Sequence, residues 1–265
     1  MAELRATILG CGSSGGVPRI GNLWGECDPG NPKNRRSRCS MLLEQFGSQG
    51  VTRVLIDTSP DMRTQLLAAG VSQLDAVVYT HAHADHMHGL DDLRMIVMQS
   101  KKRMDVWADA LTQADLLARF HYAFITPEGS NYPPICDLHS IIGEVKINGA
   151  GGEMCLTPLP VQHGQIPALG FRVGGLAYIP DVSGIPDSTW QMLNDLDIWV
   201  LDALRYMPHP SHVHLERALQ WIERAGPKQG VLTNMHIDLD YDRVAAETPD
   251  HVAPAYDGMQ LTLGG

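Results

Sequence analysis

The chain contains 265 residues, of which 44% are hydrophobic and 19% are charged, and its formal net charge is -10. This length and apolar content predict one large α/β domain, or two small ones, with ample material for a buried core. The negative charge disfavours long nucleic acids as partners, because binding to them depends on clustered Lys and Arg residues that release counterions from the phosphates. No apolar run approaches the roughly 18 residues that span a bilayer, so no membrane partner is expected.

The five cysteines are odd in number, scattered and without a C-x-x-C pair. This pattern is typical of unpaired thiols in a reducing compartment. The first residues, MAELRATILG, lack the long apolar core of a signal peptide. We therefore expect a cytoplasmic protein.

Residues 4–9 alternate between apolar and polar types, which predicts a first strand, and a glycine-rich loop follows at residues 10–18. The backbone N-H groups of this loop and the hydroxyls of Ser13 and Ser14 could bind an anion. A tight turn between two strands would explain the same composition. Both interpretations stay open from the sequence alone.

The next loop, residues 21–38, ends in four basic residues, Lys33, Arg35, Arg36 and Arg38. A basic loop can bind phosphate, which makes Arg35 and Arg36 candidate substrate-binding residues. A run of charge is also typical of a loop that is simply solvated, and this second interpretation is kept beside the first.

A buried strand is predicted at residues 74–80, because this segment is apolar and β-branched. It follows two strands, at residues 39–46 and 51–56, and a helix at residues 61–69 that Gly70 ends. The remaining elements are a helix at 89–100, a strand at 106–107, a helix at 110–124, a loop at 126–134, a strand at 153–160, a hairpin of 169–173 with 176–179, a strand at 197–201, a helix ending at 225 and a strand beginning at 231.

The motif H-x-H-x-D-H follows the buried strand at residues 81–86. Residues two apart in an extended segment share a face, so His81 and His83 can chelate one cation while Asp85 and His86 reach a second. Two imidazoles cannot complete the shell of a metal ion. Further ligands are therefore expected from distant parts of the sequence, near other strand ends.

Several metal-binding or polar side chains do follow later strands. His163 comes just after the strand at 153–160, Asp181 follows the hairpin, and Arg205 and His212 lie in the loop before the last predicted helix. Ser211 is a good N-cap residue, which predicts that His212 lies in the first turn of that helix.

The H-x-H-x-D-H motif after a strand resembles the metal signature of the metallo-β-lactamase superfamily. The opening G-x-G-x-x-x-G-V-P is similar to that of its phosphodiesterases, in the branch of ribonuclease Z and the cyclic phosphodiesterase that is accessory to carbon-phosphorus lyase. This resemblance implies an α/β (α+β) fold, the four-layer αββα sandwich, formed by residues 1–265 as a single domain. Most members of the superfamily are hydrolases.

The resemblance also implies a ligand set for two divalent metal ions per chain, Zn or Mn. The first ion would be held by His81, His83 and His163. The second would be held by Asp85, His86 and His236, with Asp181 bridging the two.

Two further positions follow from the family pattern. Asp57, after the strand at 51–56, matches an Asp that hydrogen-bonds the metal loop and orients a ligand. Asn234 occupies the usual position of the last His, and His236 follows two residues later. Asp238 is the alternative to His236 as a ligand of the second metal ion.

The predicted activity is hydrolysis of a small phosphodiester, cyclic or nucleotide-derived, by a metal-bridging hydroxide. Asp85, Asp181 and His212 are the candidate catalytic residues, and His212 is expected to face the substrate phosphate without binding metal. Ser13, Ser14, Arg35, Arg36, Arg205 and His212 are the candidate substrate-binding residues.

The partner expected from this reading is a small phosphorylated molecule such as a nucleotide, and a homodimer is compatible with it. One alternative is a thioester or lactone hydrolase on the same two-metal site, because metal spacing does not separate carbonyl from phosphoryl substrates. The other is a non-hydrolytic accessory protein of cofactor biosynthesis or a metal-binding scaffold.

Overall fold

A computed structural model of the protein describes residues 3–126 and 128–264. Its strands form two seven-stranded sheets, each containing parallel and antiparallel pairs. The strands are β1 (Glu3–Gly10), β2 (Ser40–Gly47), β3 (Gly50–Ile56), β4 (Ala76–Val78), β5 (Met104–Ala108), β6 (Cys136–Ser140), β7 (Val145–Gly149), β8 (Gly152–His163), β9 (Ile166–Val173), β10 (Leu176–Ile179), β11 (Ile198–Asp202), β12 (Gln229–Thr233), β13 (Val252–Pro254) and β14 (Met259–Leu263).

The α-helices are α1 (Met62–Ala69), α2 (Ala84–Met87), α3 (Leu93–Ser100), α4 (Ala110–Phe124), α5 (Asp187–Trp190), α6 (Leu215–Ala225) and α7 (Tyr241–Glu247). Gly70 ends α1 in the left-handed conformation, with φ of 67°, as the sequence predicts. No helix in the part of the chain that the structure describes is long and apolar enough to cross a membrane.

The first of two compact units comprises Met1–Leu9, Ser40–Cys155 and Gln260–Gly265. Its sheet has the strand order β14-β1-β2-β3-β4-β5-β6. Strands β3 to β6 run parallel to one another, and all three residues of β4 are buried. A strand in the middle of a parallel sheet is covered on both faces, which explains its wholly apolar sequence. The segment after β4 therefore begins at the carboxyl edge of this sheet.

The second unit comprises Gly10–Cys39 and Leu156–Met259. The second sheet has the order β13-β12-β11-β10-β9-β8-β7, in which β10 to β13 are parallel and β8, β9 and β10 are antiparallel. Ile179 pairs with Leu201, and Asp202 pairs with Thr233. This register brings the carboxyl ends of three neighbouring strands to one edge, where polar side chains can meet.

Asp257, between β13 and β14, connects the glycine-rich loop (residues 10–18) and the basic loop (residues 21–38) by hydrogen bonds. Its carboxylate accepts hydrogen bonds from the backbone N-H of Cys11 at 3.1 Å and from the backbone N-H of Ser37 at 2.7 Å. The Ser37 hydroxyl donates a third, at 2.6 Å. Burial raises the pKa of Asp257 to about 6, although these hydrogen bonds oppose the rise.

This raised pKa gives a prediction for the pH dependence of stability. The folded protein holds the Asp257 proton more tightly than the unfolded chain does, so the proton stabilises the fold below about pH 4 and this contribution disappears as the pH rises to about 6. The difference in unfolding free energy between wild type and Asp257→Asn should shift against wild type by about 2 kcal/mol between pH 4.5 and pH 7, because part of the contribution is already lost at pH 4.5. Urea unfolding of both proteins at pH 4.5 and pH 7 measures it, and a pH-independent difference would contradict it.

Candidate metal centre

The H-x-H-x-D-H segment lies just beyond β4, where the sequence places it, and α2 begins within it at Ala84. The Nε2 atom of His81 lies 3.0 Å from Nδ1 of His83. The rings of His81 and His86 have centroids 4.3 Å apart. Two imidazole nitrogens bound to one tetrahedral zinc lie about 3.3 Å apart, from Zn-N bonds of about 2.0 to 2.1 Å. The spacing of His81 and His83 therefore fits a shared cation.

Asp57 holds this segment in place from the end of β3. It is fully buried, and its φ of 63° is a left-handed conformation that few residues other than glycine adopt. The carboxylate accepts hydrogen bonds from the backbone N-H and the hydroxyl of Thr80, both at 2.8 Å, and lies 2.7 Å from Nδ1 of His86. Burial raises the pKa of Asp57, whereas the contacts with His86 and Thr80 lower it. Because Nδ1 of His86 is engaged with Asp57, Nε2 is the atom oriented for a metal.

In the second unit, His163, Asp181 and His212 form a donor group. One ligand atom from each lies within 4.8 Å of the others. His163 is the last residue of β8, and its Nδ1 donates to the carbonyl of Ser211 at 2.7 Å. Asp181 follows β10 and is 3% exposed. Two imidazoles and a buried carboxylate are ligand types that zinc and manganese accept.

Asp202 is a site residue that the sequence analysis missed. It ends β11, is completely buried, and its carboxylate lies 2.8 Å from Nδ1 of His212. Burial raises the pKa of Asp202 to about 7, His212 opposes this rise, and the nearby charge of Asp181 adds to it. Its signal in the sequence is an acidic residue at the end of a buried strand, as Asp57 is at the end of β3.

Asn234, at the end of β12, also faces this group. Its side-chain amide donates to Asp181, and it lies 3.3 Å from Asp202 and 3.2 Å from Nδ1 of His212. An amide nitrogen cannot bind a metal ion in the way that an imidazole does. The N-H groups of Asn234 instead donate hydrogen bonds to the carboxylates of Asp181 and Asp202.

His236 lies outside the group of His163, Asp181 and His212, and its assignment as a metal ligand stays a prediction. Asn234 has φ of 60°, which turns the chain out of the strand, and residues two apart no longer share a face. The ring of His236 instead contacts the guanidinium of Arg19 through Nε2, and its Nδ1 lies 2.5 Å from Asp238. The alternative ligand Asp238 is therefore paired with His236.

The predicted position of His212 is also corrected. Helix α6 begins at Leu215, and His214, rather than Ser211, is the residue that precedes its first turn. His212 thus lies in the loop before the helix, where Asp202 orients it. His212 therefore does not lie in the first turn, where the positive end of a helix dipole favours anions.

Two arginines predicted to bind substrate are engaged within the protein. Arg36 is 1% exposed, and its guanidinium donates to the side chain of Asn34 at 3.2 Å. Arg205 donates to the carbonyls of Met207 and Pro208, at 3.0 and 2.7 Å. Their assignment as substrate-binding residues stays a prediction, although both guanidinium groups donate hydrogen bonds within their own loops.

The other predicted substrate-binding residues differ in accessibility. Arg35 is exposed, with its guanidinium 5.2 Å from the ring of Trp24. Ser14 is exposed, whereas Ser13 is 4% exposed. Among the residues that the structure describes, the hydroxyl of Ser13 has no hydrogen-bond partner.

Comparisons with known proteins agree with this architecture. A crystal structure described as a new diphosphatase from the PhnP family shares 34% sequence identity, covers 99% of this chain and 98% of its own, and has a TM-score of 0.88. An octanoyltransferase of Porphyromonas gingivalis is 32% identical over 98% of this chain and 52% of its own length. A ribonuclease Z of Bradyrhizobium diazoefficiens is 29% identical over 53% of this chain and 45% of its own. The chain thus spans about half the length of these two curated relatives.

Residues 52–237 match the family described as the beta-lactamase superfamily domain. This match and the diphosphatase structure confirm the predicted fold class. The histidine and aspartate groups in a fold of this kind support divalent metal binding and an enzyme. The chain belongs to the metallo-β-lactamase superfamily, in the branch of the PhnP-family and ribonuclease Z-like hydrolases.

Proposed function

We propose that this chain is a metal-dependent hydrolase of small phosphodiesters, cyclic or nucleotide-derived. The observation that carries this proposal is the pair of donor groups in which a buried Asp orients a His, Asp57 with His86 and Asp202 with His212. An imidazole fixed through Nδ1 presents Nε2 in a defined direction, as metal binding and proton transfer both require. The similarity to a PhnP-family diphosphatase and to a ribonuclease Z favours a phosphorus-centred reaction.

Family membership and the donor types suggest how two ions, Zn or Mn, would be held. We assign His81, His83 and His163 to the first ion, Asp85 and His86 to the second, and Asp181 to both. Divalent ions in such a site lower the pKa of water toward neutrality and stabilise the charge that develops on a phosphoryl group.

The protein's own residues then have distinct tasks. Asp57 keeps Nδ1 of His86 protonated, and the carbonyl of Ser211 does the same for His163. Asp202 accepts the Nδ1 proton of His212, so that Nε2 of His212 is the atom that could face the phosphate and give a proton to the leaving oxygen. Asn234 holds Asp181 in a fixed rotamer by donating to its carboxylate.

The test is hydrolysis by purified, metal-loaded protein of bis(p-nitrophenyl) phosphate and of 2′,3′-cyclic nucleotides, beside a lactone and an octanoyl thioester. We expect turnover of the phosphodiesters, its loss after removal of metal by a chelator, and recovery with Zn²⁺ or Mn²⁺. His81→Ala should lack the activity, while Asp187→Ala, at an exposed position, serves as the matched control. Turnover of the thioester or lactone without turnover of any phosphodiester would contradict the proposal.

The second candidate is acyl chemistry on a thioester. The observation that favours it is the 32% identity to a protein named octanoyltransferase, along 98% of this chain. The same ions could polarise a carbonyl group in place of a phosphoryl group. The octanoyl thioester in the assay above distinguishes the two candidates.

A further inference from the structure

Two neighbouring residues of helix α4, Arg119 and Phe120, contact the H-x-H-x-D-H segment (residues 81–86) and the residues just after it. The helix is kinked at Phe120, whose φ of -127° and ψ of 34° lie outside the helical range. The ring of Phe120 packs edge-on against that of His88, with centroids 5.6 Å apart. The kink therefore lies where α4 contacts the chain around the predicted metal ligands.

Arg119 reaches the middle of the H-x-H-x-D-H segment. Its Nη1 donates to the carbonyl oxygen of Ala82 at 2.8 Å and lies 3.2 Å from Sδ of Met87. Its Nη2 donates to the carboxylate of Asp115, one helical turn earlier, at 2.9 Å. A guanidinium group holds its donors in fixed directions. The ion pair with Asp115 therefore restricts how the guanidinium can turn against the Ala82 carbonyl.

The carbonyl that Arg119 binds belongs to the peptide bond between Ala82 and His83. Because a peptide unit is planar, a hydrogen bond that fixes its oxygen also fixes the backbone nitrogen and the Cα of the next residue. His83 is extended, with φ of -68° and ψ of 150°, and α2 begins directly after it. The direction in which the His83 side chain leaves the backbone therefore depends on the contact with Arg119.

The histidines of this segment differ in burial. His81 is buried, and its Nδ1 lies 3.0 Å from the hydroxyl of Thr80. His86 is buried as well, and its Nδ1 lies 2.7 Å from the carboxylate of Asp57. His83 is exposed, so the packing of neighbouring side chains restricts its rotamers less than those of the two buried rings. The orientation of His83 therefore depends more on its backbone.

We propose that Arg119 is a positioning residue of the metal centre, which fixes the peptide between Ala82 and His83 and thereby directs the His83 imidazole toward its ion. This inference rests on the proposed function, in which His83 is a ligand of the first ion. Arg119 acts through the backbone and contacts neither the metal nor the substrate. Partners that orient a metal ligand in this way typically contribute about 10- to 100-fold to metal affinity.

Arg119→Met tests the inference, because it keeps the apolar stem of the side chain and removes the donors. We expect its affinity for one of the two Zn²⁺ ions, measured by competition with a chelating dye, to fall roughly 10- to 100-fold. Arg119→Lys, which can still donate to the Ala82 carbonyl, should lose less affinity. Arg103→Met is the matched control and should bind zinc as wild type does, since Arg103 is also exposed and also pairs with an aspartate.

A His83→Ala background separates an effect through His83 from a general effect on the fold. In that background, Arg119→Met should weaken the binding of any remaining Zn²⁺ ion by less than about twofold, because the ligand through which Arg119 acts is gone. Unchanged zinc affinity in Arg119→Met, or a further loss of roughly tenfold in the double variant, would overturn the inference and leave the proposed function intact. The proposed function itself would fail if wild type bound no Zn²⁺, or hydrolysed no phosphodiester when loaded with it.

Discussion

Replacing Asp181 with alanine is expected to lower phosphodiester turnover by roughly 10³-fold or more and to release at least one divalent ion from each chain. This carboxylate is 3% exposed and belongs to the donor group with His163 and His212. If it bridges two cations, its removal leaves them facing each other without a negative charge between them. The loss in rate is at the upper end of what one electrostatic group contributes to catalysis.

The experiment combines elemental analysis with kinetics on the same samples. Asp181→Asn preserves the size of the side chain, so that loss of metal in this variant cannot be attributed to a cavity. Asp187→Ala, six residues later and exposed, makes the same chemical change as Asp181→Ala and should keep wild-type metal and activity. A fully active Asp181→Ala protein, or one that retains all its metal, would remove Asp181 from the proposed site.

The strands that precede the metal-binding segments could be predicted because their apolar runs are long and are bounded by polar residues or glycine. The buried run before His81 and the hairpin before Asp181 are both found, and the antiparallel pair of β9 and β10 is joined through Gly174 and Gly175 as expected. Strands β6, β7, β13 and β14 and helix α7 were not predicted. These elements are short, and an isolated segment of three to seven residues carries little periodicity.

One physical cause of the differences between the expected and the observed site is the conformation of single residues at strand ends. Asn234 adopts a left-handed conformation with φ of 60°, which no pattern of residue types around it reveals. That one turn sends His236 toward Arg19 and places an amide beside Asp181. The burial of Arg36 could not be predicted either, because charge in a sequence does not show that a loop closes over its own arginine.

The orientation of His212 depends on contacts that the sequence does not show. The sequence places it in the first turn of a helix, where the dipole would assist anion binding, but α6 begins three residues later. Its orientation comes instead from Asp202, a buried carboxylate on a neighbouring strand. Only the parallel register of β10, β11 and β12 brings Asp181, Asp202 and Asn234 to the same edge, and register is a long-range property that local sequence does not encode.

His212→Ala is expected to lower turnover of phosphodiesters roughly 10²- to 10⁴-fold, the range for a lost general acid or oxyanion donor, with metal content unchanged. The 2.8 Å contact between Nδ1 and Asp202 fixes the ring and directs Nε2 away from that carboxylate. An imidazole held in this way can donate a proton to the oxygen that leaves phosphorus. Asp202→Asn should give a smaller loss of the same kind, because the ring is retained but its tautomer is no longer specified.

The leaving group separates the two ways in which His212 could act. If it is a general acid, His212→Ala should be nearly as active as wild type on an ester of p-nitrophenol, which leaves without a proton, and strongly impaired on an alkyl ester. If it only stabilises charge on the phosphoryl oxygens, turnover of both substrates should fall by the same factor.

Metal analysis of the same samples tests a third role for His212, that of a metal ligand. The ring of His212 lies close enough to His163 and Asp181 to share an ion with them. A variant that has lost one ion would make His212 a metal ligand, and unchanged turnover with unchanged metal would exclude it from the reaction.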